Sequence, residues 1–187
     1  EYTREVIKVG KEGKLKVLSK YGVGLDRIDL NAAKEFDVTV TNCPSVNQVS
    51  VSEHVLALLF TFEKNIHLQN ETTKLGSWKR ITGNEIQGKT IGIIGLGAVG
   101  KELAKKSLAL GMKVIAFDLI KNKTFLELFP KMTFTKNIED IYTHSDVISL
   151  HIPHTTKTEK LINLDVIFNK LKKCPIIINT ARGMLVD

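Results

Sequence analysis

The sequence predicts an α/β fold with a doubly wound parallel sheet, and three observations support this prediction. Short apolar, β-branched runs alternate with amphipathic helical runs along most of the 187 residues, as in parallel sheets covered by helices. One apolar run, 89–94, enters a glycine-rich turn that opens a helix, which is a strand–turn–helix pattern. The composition, with 43% hydrophobic and 25% charged residues, is that of an ordinary globular protein with a sizeable core.

The first part of the chain predicts a β-α-β unit. A strand, a glycine-rich loop, a helix capped by Asp29 and a second strand are expected over residues 15–19, 21–26, 29–36 and 38–41, in that order. The stretch 42–45 contains Pro44 and breaks the pattern. We therefore expect one domain over residues 1–45 and a second over residues 46–187.

The second part predicts a long helix followed by alternating strands and helices. Apolar side chains keep helical spacing over 47–68, and an irregular arm that starts at Gly76 leads to the strand at 89–94. Further strands are expected near 113–117, 132–135, 147–150 and 176–179. Further helices are expected directly after the glycine turn and near 138–142 and 164–172, with a loose segment after residue 118.

The glycine-rich turn has the spacing of a dinucleotide-binding fingerprint, G-x-G-x-x-G, at Gly95, Gly97 and Gly100. Gly95 permits a tight turn, Gly97 lets the backbone approach a pyrophosphate, and Gly100 allows close helix–strand packing. The following helix offers free N–H groups and the positive end of its dipole to phosphates. Asp118 ends the next strand, 18 positions after Gly100, where a carboxylate can accept a hydrogen bond from a ribose 2′-OH.

The residues around Asp118 also predict which dinucleotide binds. A carboxylate repels a 2′-phosphate, and the following Leu119 and Ile120 supply no arginine to bind one. These residues favour NAD over NADP. The alternative is a structural β-turn-α without a ligand, but the strand, the helix and the acid all agree with dinucleotide binding.

Two polar segments follow strands whose carboxyl ends are expected at the ligand-binding edge of the sheet, residues 151–154 and 180–183. Arg182 can bind a carboxylate through two parallel N–H bonds and can polarise a carbonyl as charge builds on its oxygen. A surface ion pair is the alternative for this arginine. Pro153 excludes a regular helical metal pair of His151 and His154, and no metal site is indicated. His151 is compatible with positioning the backbone beside the cofactor and at least equally with a partly buried structural role, and no histidine is an obvious general base.

Charge, cysteine content and hydropathy limit the classes of partner. The net charge is +7, but only four of the 27 basic residues are arginine and the lysines form no basic run, so we expect no nucleic-acid partner. Cys43 and Cys174 lie far apart and match no redox or zinc spacing, as expected of reduced thiols in a cytoplasmic protein. The longest apolar helical run, 55–60, is too short to span a bilayer.

Together these motifs resemble the D-isomer-specific 2-hydroxyacid dehydrogenase family, most closely its 3-phosphoglycerate dehydrogenase branch. The similarity covers the chain nearly from end to end, in the family's order, through residues 16–29, 47–54, 76–78, 150–163 and 179–187. It implies a Rossmann-type NAD domain and part of a flavodoxin-like substrate domain, both incomplete within these residues. It also implies a cytoplasmic homodimer, formed through the helix at 51–66 and the arm at Trp78.

The resemblance implies roles for the residues that match the family's motifs. Backbone N–H groups of Ala98 and Val99 would meet the pyrophosphate of NAD, and Asp118 would hold the adenosine ribose. The residues that would line the adenosine side and then the nicotinamide side are Ile152, Pro153 and Thr158, followed by Thr180 and Ala181. The Val23–Gly24 backbone would bind the substrate carboxylate. Arg182 would orient the substrate and polarise C2–O during hydride transfer.

The activity implied is oxidation or reduction at C2 of a small 2-hydroxy or 2-keto acid, with 3-phosphoglycerate in serine biosynthesis preferred and hydroxypyruvate or glyoxylate next. An NAD(H)-sensing corepressor that binds the dinucleotide without turnover is the alternative from another class. The family's general acid/base histidine and its glutamate partner follow the third motif, so we expect both beyond Asp187. We accordingly expect residues 1–187 alone to be inactive.

Overall fold

The computed structural model describes all 187 residues, which form two compact units, Glu1–Asn47 and Gln48–Asp187. In the first unit, strands β1 (Val17–Ser19) and β2 (Thr39–Thr41) pair in parallel. Helices α1 (Arg4–Glu12) and α2 (Leu30–Glu35) complete this unit. The elements β1, α2 and β2 form the predicted β-α-β unit, whereas α1 has no counterpart among the predicted elements.

The core of the first unit explains its two helices. Asp29 caps α2, because its carboxylate accepts a hydrogen bond from the Ala32 N–H at 2.9 Å. Ile7 of α1 is fully buried in a cluster with Ile28 and Val38. A single buried apolar side chain therefore anchors α1.

The second unit contains a five-stranded parallel sheet. Its strands are β3 (Thr90–Ile94), β4 (Lys113–Phe117), β5 (Thr133–Thr135), β6 (Val147–Leu150) and β7 (Ile176–Asn179). Their spatial order is β5-β4-β3-β6-β7, and all neighbouring strands run parallel. The chain runs outward from β3 on one side and then crosses to β6 on the other. This arrangement confirms the predicted doubly wound α/β fold and places a topological switch point between β3 and β6.

Helices cover both faces of this sheet. The helices of this unit are α3 (Gln48–Glu63), α4 (Ile66–Lys74), α5 (Ala98–Ala109), α6 (Lys123–Leu128) and α7 (Ile138–His144), of which α4 has no buried residue. Successive side chains of a strand point to opposite faces. Ile93 accordingly packs in the core cluster that includes residues of α3 and α5, whereas Ile94 packs in the cluster that includes Ile141 of α7. Buried faces on both sides explain why the strands read as continuous apolar runs.

The predicted single helix over 47–68 is wrong, because α3 ends at Glu63 and α4 begins at Ile66. Between them Asn65 adopts a left-handed conformation with φ of 53°. The Asn84 N–H donates to the Glu63 carbonyl at 2.7 Å and occupies an acceptor at the end of α3. Asparagine tolerates left-handed backbone, which permits the break.

Two other segments differ from the prediction. The loose segment after residue 118 contains α6, which is capped by Asn122 through a 2.9 Å hydrogen bond from the Phe125 N–H. The helix expected near 164–172 is a single π-helical turn, Val166–Lys170. Both elements are short, and one or two buried side chains hold each of them, so their sequence periodicity is weak.

No helix of the fold combines the length and the apolar character that crossing a membrane requires.

Candidate functional site

The glycine turn after β3 is built by close backbone approach. Gly95 has φ of +102°, and a Cβ at this position would lie 2.5 Å from the carbonyl oxygen of His151. A Cβ at Gly100 would overlap the carbonyl oxygen of Gly95. These two positions therefore require glycine, and they let α5 begin directly at the end of β3.

Gly97 differs from its neighbours, because a Cβ there would meet nothing within 4 Å. The residue is exposed, and α5 begins at the next residue, Ala98. The N–H groups of the first helical turn, which includes Val99, have no partner within the helix and carry the positive end of its dipole. The open space at Gly97 thus gives an anionic group access to a row of backbone donors.

Asp118 ties the end of β4 to the glycine turn. One carboxylate oxygen accepts a hydrogen bond from the Leu96 N–H at 2.7 Å, and the other accepts from the Ile120 N–H at 3.0 Å. Each oxygen keeps a further lone pair for a hydroxyl donor. The carboxylate is half-buried and fixed, which suits recognition of a neutral diol and disfavours a phosphate.

Two apolar residues, Leu119 and Ile120, follow Asp118 in the sequence. In the sequence they indicated only that no arginine is present there to bind a 2′-phosphate. Leu119 and Ile120 are 84% and 79% exposed. Two consecutive exposed aliphatic side chains next to a ligand-binding carboxylate provide an apolar surface at the same edge of the sheet. The sequence signal for this apolar surface was the position of the two residues just after Asp118 and the end of β4, where polar turn residues are usual.

His151 leaves β6 against the glycine turn. Its N–H donates to the Ile94 carbonyl at 2.7 Å, and its ring nitrogen Nε2 lies 2.8 Å from the hydroxyl of the buried Ser149. Burial lowers the pKa of His151 to about 4. The imidazole is therefore neutral at physiological pH and serves as a packed, hydrogen-bonded element of the site.

The segment after His151 continues past the same turn. The Ile152 side chain lies against Gly95, since its Cγ2 is 2.8 Å from the position of a Cβ there. The Thr158 hydroxyl donates to the Pro153 carbonyl and accepts from the Thr155 N–H, both at 2.8 Å. Thr158 thereby closes the loop that starts at Pro153.

The loop after β7 is organised by Asn179, a residue that the sequence prediction placed in a motif but gave no role. Its side-chain oxygen accepts from the Ala181 N–H at 3.1 Å, and its side-chain nitrogen donates to the Arg182 carbonyl at 2.8 Å. The Arg182 guanidinium donates to the Ala181 carbonyl at 2.7 Å. The buried Thr180 hydroxyl has no hydrogen-bond partner. An asparagine at a strand end is a known signal for such an Asx turn.

The strand register brings these segments to one edge of the sheet. Ile94 pairs with Phe117 on one side and with Leu150 on the other, and Leu150 pairs with Asn179. The residues that follow these four strand ends are Gly95, Asp118, His151 and Thr180. An open backbone face, a fixed carboxylate and an unpartnered buried hydroxyl therefore share the edge where ligands bind in such sheets, and they fit a dinucleotide.

The predicted substrate residues Val23 and Gly24 lie in the first unit, in the loop between β1 and α2. This loop contains Gly22, whose φ is +139°. Neither the Val23 N–H nor the Gly24 N–H donates to another group of the protein. Both donors are therefore available to a ligand.

A cavity of about 670 Å³ lies at the opposite edge of the sheet, beside the amino ends of β3, β6 and β7. Its charged side chains include two ion pairs, Glu63 with Lys89 and Asp146 with Lys173. None of the candidate site residues lines this cavity. Ion-paired charges in this cavity indicate a structural role, so we place the functional site at the carboxyl edge.

The sheet, the glycine turn and the carboxylate define an α/β domain that binds a dinucleotide. Residues 56–187 match the family described as D-isomer specific 2-hydroxyacid dehydrogenase, NAD binding domain. The chain belongs to this family. The family, the parallel α/β fold and NAD as the cofactor, all predicted from the sequence, are confirmed.

Relatives in the same family differ in the substrate after which they are named. The chain is 39% identical over 187 residues to a hydroxypyruvate reductase of Thermotoga maritima, covering 99% of the chain and 58% of the relative. It is 38% identical to a D-3-phosphoglycerate dehydrogenase of Methanocaldococcus jannaschii, covering 99% and 35% respectively. The chain thus spans between about a third and three-fifths of these relatives' lengths.

A solved structure supports the same assignment. The D-lactate dehydrogenase of Aquifex aeolicus, complexed with NAD and lactic acid, superposes with a TM-score of 0.86 and 34% identity. The match covers 100% of this chain and 55% of that one. The structural match therefore includes residues of both units, and the NAD-binding domain match covers residues 56–187.

We predict that Gly97→Ala weakens NAD binding by at least about tenfold without loss of stability, because the new methyl group fills the space that a pyrophosphate needs. Calorimetric titration with NADH and thermal unfolding measure the two quantities. The matched variant is Gly92→Ala, whose Cβ would lie 2.7 Å from Ile141 Cγ2 and overlap the Ser145 hydroxyl. That variant should instead lose about 1–3 kcal/mol of unfolding free energy. Unchanged NADH affinity in Gly97→Ala would contradict the proposed approach of the backbone to the ligand.

We predict that His151 makes stability depend on pH. Because the folded-state pKa is about 4, below the ordinary 6.5, the unfolded chain takes up this proton first. The contribution is complete above pH 6.5 and is lost as the pH falls from 6.5 to 4, amounting to about 2–3 kcal/mol. Urea unfolding of wild type and His151→Gln at pH 7 and pH 4.5 should show a flatter pH dependence in the variant. His67→Gln, at an exposed position of α4, controls for the loss of one histidine, and identical slopes in all three proteins would refute the assignment.

Proposed function

We propose that the full-length protein is a cytoplasmic NAD-dependent oxidoreductase that transfers hydride between the nicotinamide and C2 of a small 2-hydroxy or 2-keto acid. The observation that carries the proposal is the arrival of Arg182 at the sheet edge that holds the glycine turn and Asp118. A dinucleotide site next to a guanidinium suits an anionic substrate that exchanges hydride with the cofactor. We further propose that residues 1–45 belong to a flavodoxin-like substrate domain and residues 46–187 to the NAD-binding domain.

Among 2-hydroxy acids we favour 3-phosphoglycerate, which would place the protein in serine biosynthesis. Hydroxypyruvate and glyoxylate are the next candidates. These acids share a carboxylate bonded directly to a carbon that bears oxygen, and they differ beyond that carbon. The names of the relatives, a hydroxypyruvate reductase and a D-3-phosphoglycerate dehydrogenase, support the shared chemistry.

On the cofactor side, the residues proposed to hold the pyrophosphate are Gly95, Gly97, Ala98, Val99 and Gly100. Asp118 accepts the ribose hydroxyls, while Ile152, Pro153 and Thr158 line the adenosine side. Thr180 and Ala181 line the nicotinamide side. The unpartnered Thr180 hydroxyl supports this assignment, since a buried polar group gains free energy from any bonding partner.

When bound, NADH would supply the hydride that reduces C2, and a general acid expected outside residues 1–187 would supply the proton that the substrate oxygen gains. Arg182 binds the substrate and donates N–H groups to the C2 oxygen, which lowers the energy of the developing negative charge. Asn179 fixes the backbone of Arg182, so the guanidinium starts from a defined position.

The first unit contributes backbone donors in this proposal. The N–H groups of Val23 and Gly24 bind the substrate carboxylate. His151 is not assigned to the proton transfer, because its pKa of about 4 keeps the imidazole neutral at neutral pH, without the acidic proton that keto-acid reduction needs.

We predict that the full-length protein reduces at least one member of a panel of 3-phosphohydroxypyruvate, hydroxypyruvate, glyoxylate and pyruvate with NADH. Arg182→Ala should lower kcat/KM by about a thousandfold, because it removes both substrate binding and charge stabilisation. NADH affinity should stay unchanged, and Arg182→Lys should retain an intermediate activity.

The matched control is Arg4→Ala, which removes an exposed arginine paired with Glu35 and should leave turnover unchanged. Absence of turnover with every acid, combined with NADH-dependent capture of a protein partner, would favour a corepressor-type binding protein. Full activity of Arg182→Ala would refute the role given to the guanidinium.

We also propose a homodimer formed through residues 51–66, which span most of α3 and the start of α4, and through the arm at Trp78. Large apolar side chains are exposed there, with Phe62 at 60% and Trp78 at 89%. Phe62→Glu should shift the full-length protein from dimer to monomer in sedimentation velocity. Leu164→Glu, at a 64% exposed position outside this surface, should remain dimeric. A wild-type protein that sediments as a monomer would contradict the proposal.

A further inference from the structure

Asn42 fastens the loop between β1 and α2 at a defined point. Its side-chain nitrogen donates to the Val23 carbonyl at 2.8 Å. The next residue, Cys43, donates its N–H to the Gly22 carbonyl at 2.9 Å. Both contacts lie within the first unit, and they hold consecutive carbonyl groups of the loop to the chain that leaves β2.

The Val23 carbonyl and the Gly24 N–H belong to one peptide unit. In a trans peptide these two groups point in opposite directions, and the structure contains no cis peptide bond. A donor placed on the carbonyl therefore fixes the direction of the N–H on the other side. It also polarises the unit, because hydrogen bonds in a chain strengthen one another.

The free end of this peptide unit is the Gly24 N–H, which donates to no group of the protein. Asn42 is half-buried, while its hydrogen bond to the Val23 carbonyl is exposed to solvent. The contact is thus built on the side of the peptide opposite to the donor that a ligand would use.

We infer that Asn42 is a positioning residue for the substrate carboxylate, which it serves by orienting and polarising the Val23–Gly24 peptide. The inference rests on the proposed function, because it needs a carboxylate to bind at this peptide. Asn42 touches neither substrate nor cofactor in this role, and it acts only through the backbone of the loop.

The experiment uses the full-length protein with the variants Asn42→Ala and Asn42→Gln. The matched control is Asn31→Ala, an exposed asparagine of α2 in the same unit. The measurements are KM and kcat for the keto acid that is turned over, the Kd of NADH, and the Kd of oxalate in the presence of NADH. Selective ¹⁵N-glycine labelling also reports the amide proton shift of Gly24 directly.

Asn42→Ala should raise both KM and the Kd of oxalate by about tenfold, which is the loss of one hydrogen bond that aligns a donor. The kcat and the Kd of NADH should change by less than about twofold. The Gly24 amide proton should move upfield, and Asn42→Gln, which keeps a donor amide, should recover part of the affinity. Asn31→Ala should match the wild type.

The inference is overturned if Asn42→Ala binds oxalate as tightly as the wild type and the Gly24 proton does not move. Loss of kcat, NADH affinity and thermal stability together would also overturn it, because a general folding role would then explain the variant. If the wild type neither turns over a keto acid nor binds oxalate, the proposed function itself fails, and this result is distinct from equal behaviour of wild type and variant.

Discussion

The close approach of the glycine turn to the exit of β6 is the constraint on which the NAD-binding domain depends. With a side chain at Gly95, its Cβ would lie 2.5 Å from the His151 carbonyl, so the two strand ends could not stay level. Because glycine at position 95 keeps the two strand ends level, α5 starts at the switch point of the sheet and Asp118 accepts a hydrogen bond from the Leu96 N–H at 2.7 Å. One backbone contact thus sets the position of the helix, the turn and the carboxylate.

The site that results relies on backbone groups more than on side-chain charge. The turn from Gly95 to Gly100 contains no cationic side chain, and Lys101 lies over the ring of Phe125 at 5.6 Å. Helix N–H groups and their dipole therefore supply the positive potential for a pyrophosphate. In the first unit, the Val23 and Gly24 N–H groups offer a second set of backbone donors. Side chains such as Asp118, Asn179 and Asn42 mainly hold backbone in place.

The sequence was most informative where local geometry and long-range packing demand the same residue. The strands β3, β4, β6 and β7 were predicted closely, because burial on both faces imposes continuous apolar runs on them. The glycine fingerprint was recognisable for a related reason, since Gly95 and Gly100 meet steric requirements of the turn and Gly97 leaves open space beside it.

Other features depend on contacts between distant residues, and the sequence did not show them. The break between α3 and α4 requires Asn84 to reach Glu63 across 21 positions, which no local pattern records. The helices α1 and α6 are each anchored by a single buried side chain, Ile7 and Phe125, whose burial depends on the packed fold. The neutral state of His151 follows from its burial beside Ser149, which only the packed fold creates.

In the proposed function, where Thr180 lines the nicotinamide side, its buried hydroxyl links conformational stability to occupancy of the edge. A polar group that is withdrawn from water and left unbonded costs about 1–3 kcal/mol. A ligand that supplies the missing partner recovers this free energy in addition to its own contacts, so saturation and resistance to unfolding rise together. In the proposed function, a ligand that bonds to the Thr180 hydroxyl therefore raises the free energy of unfolding.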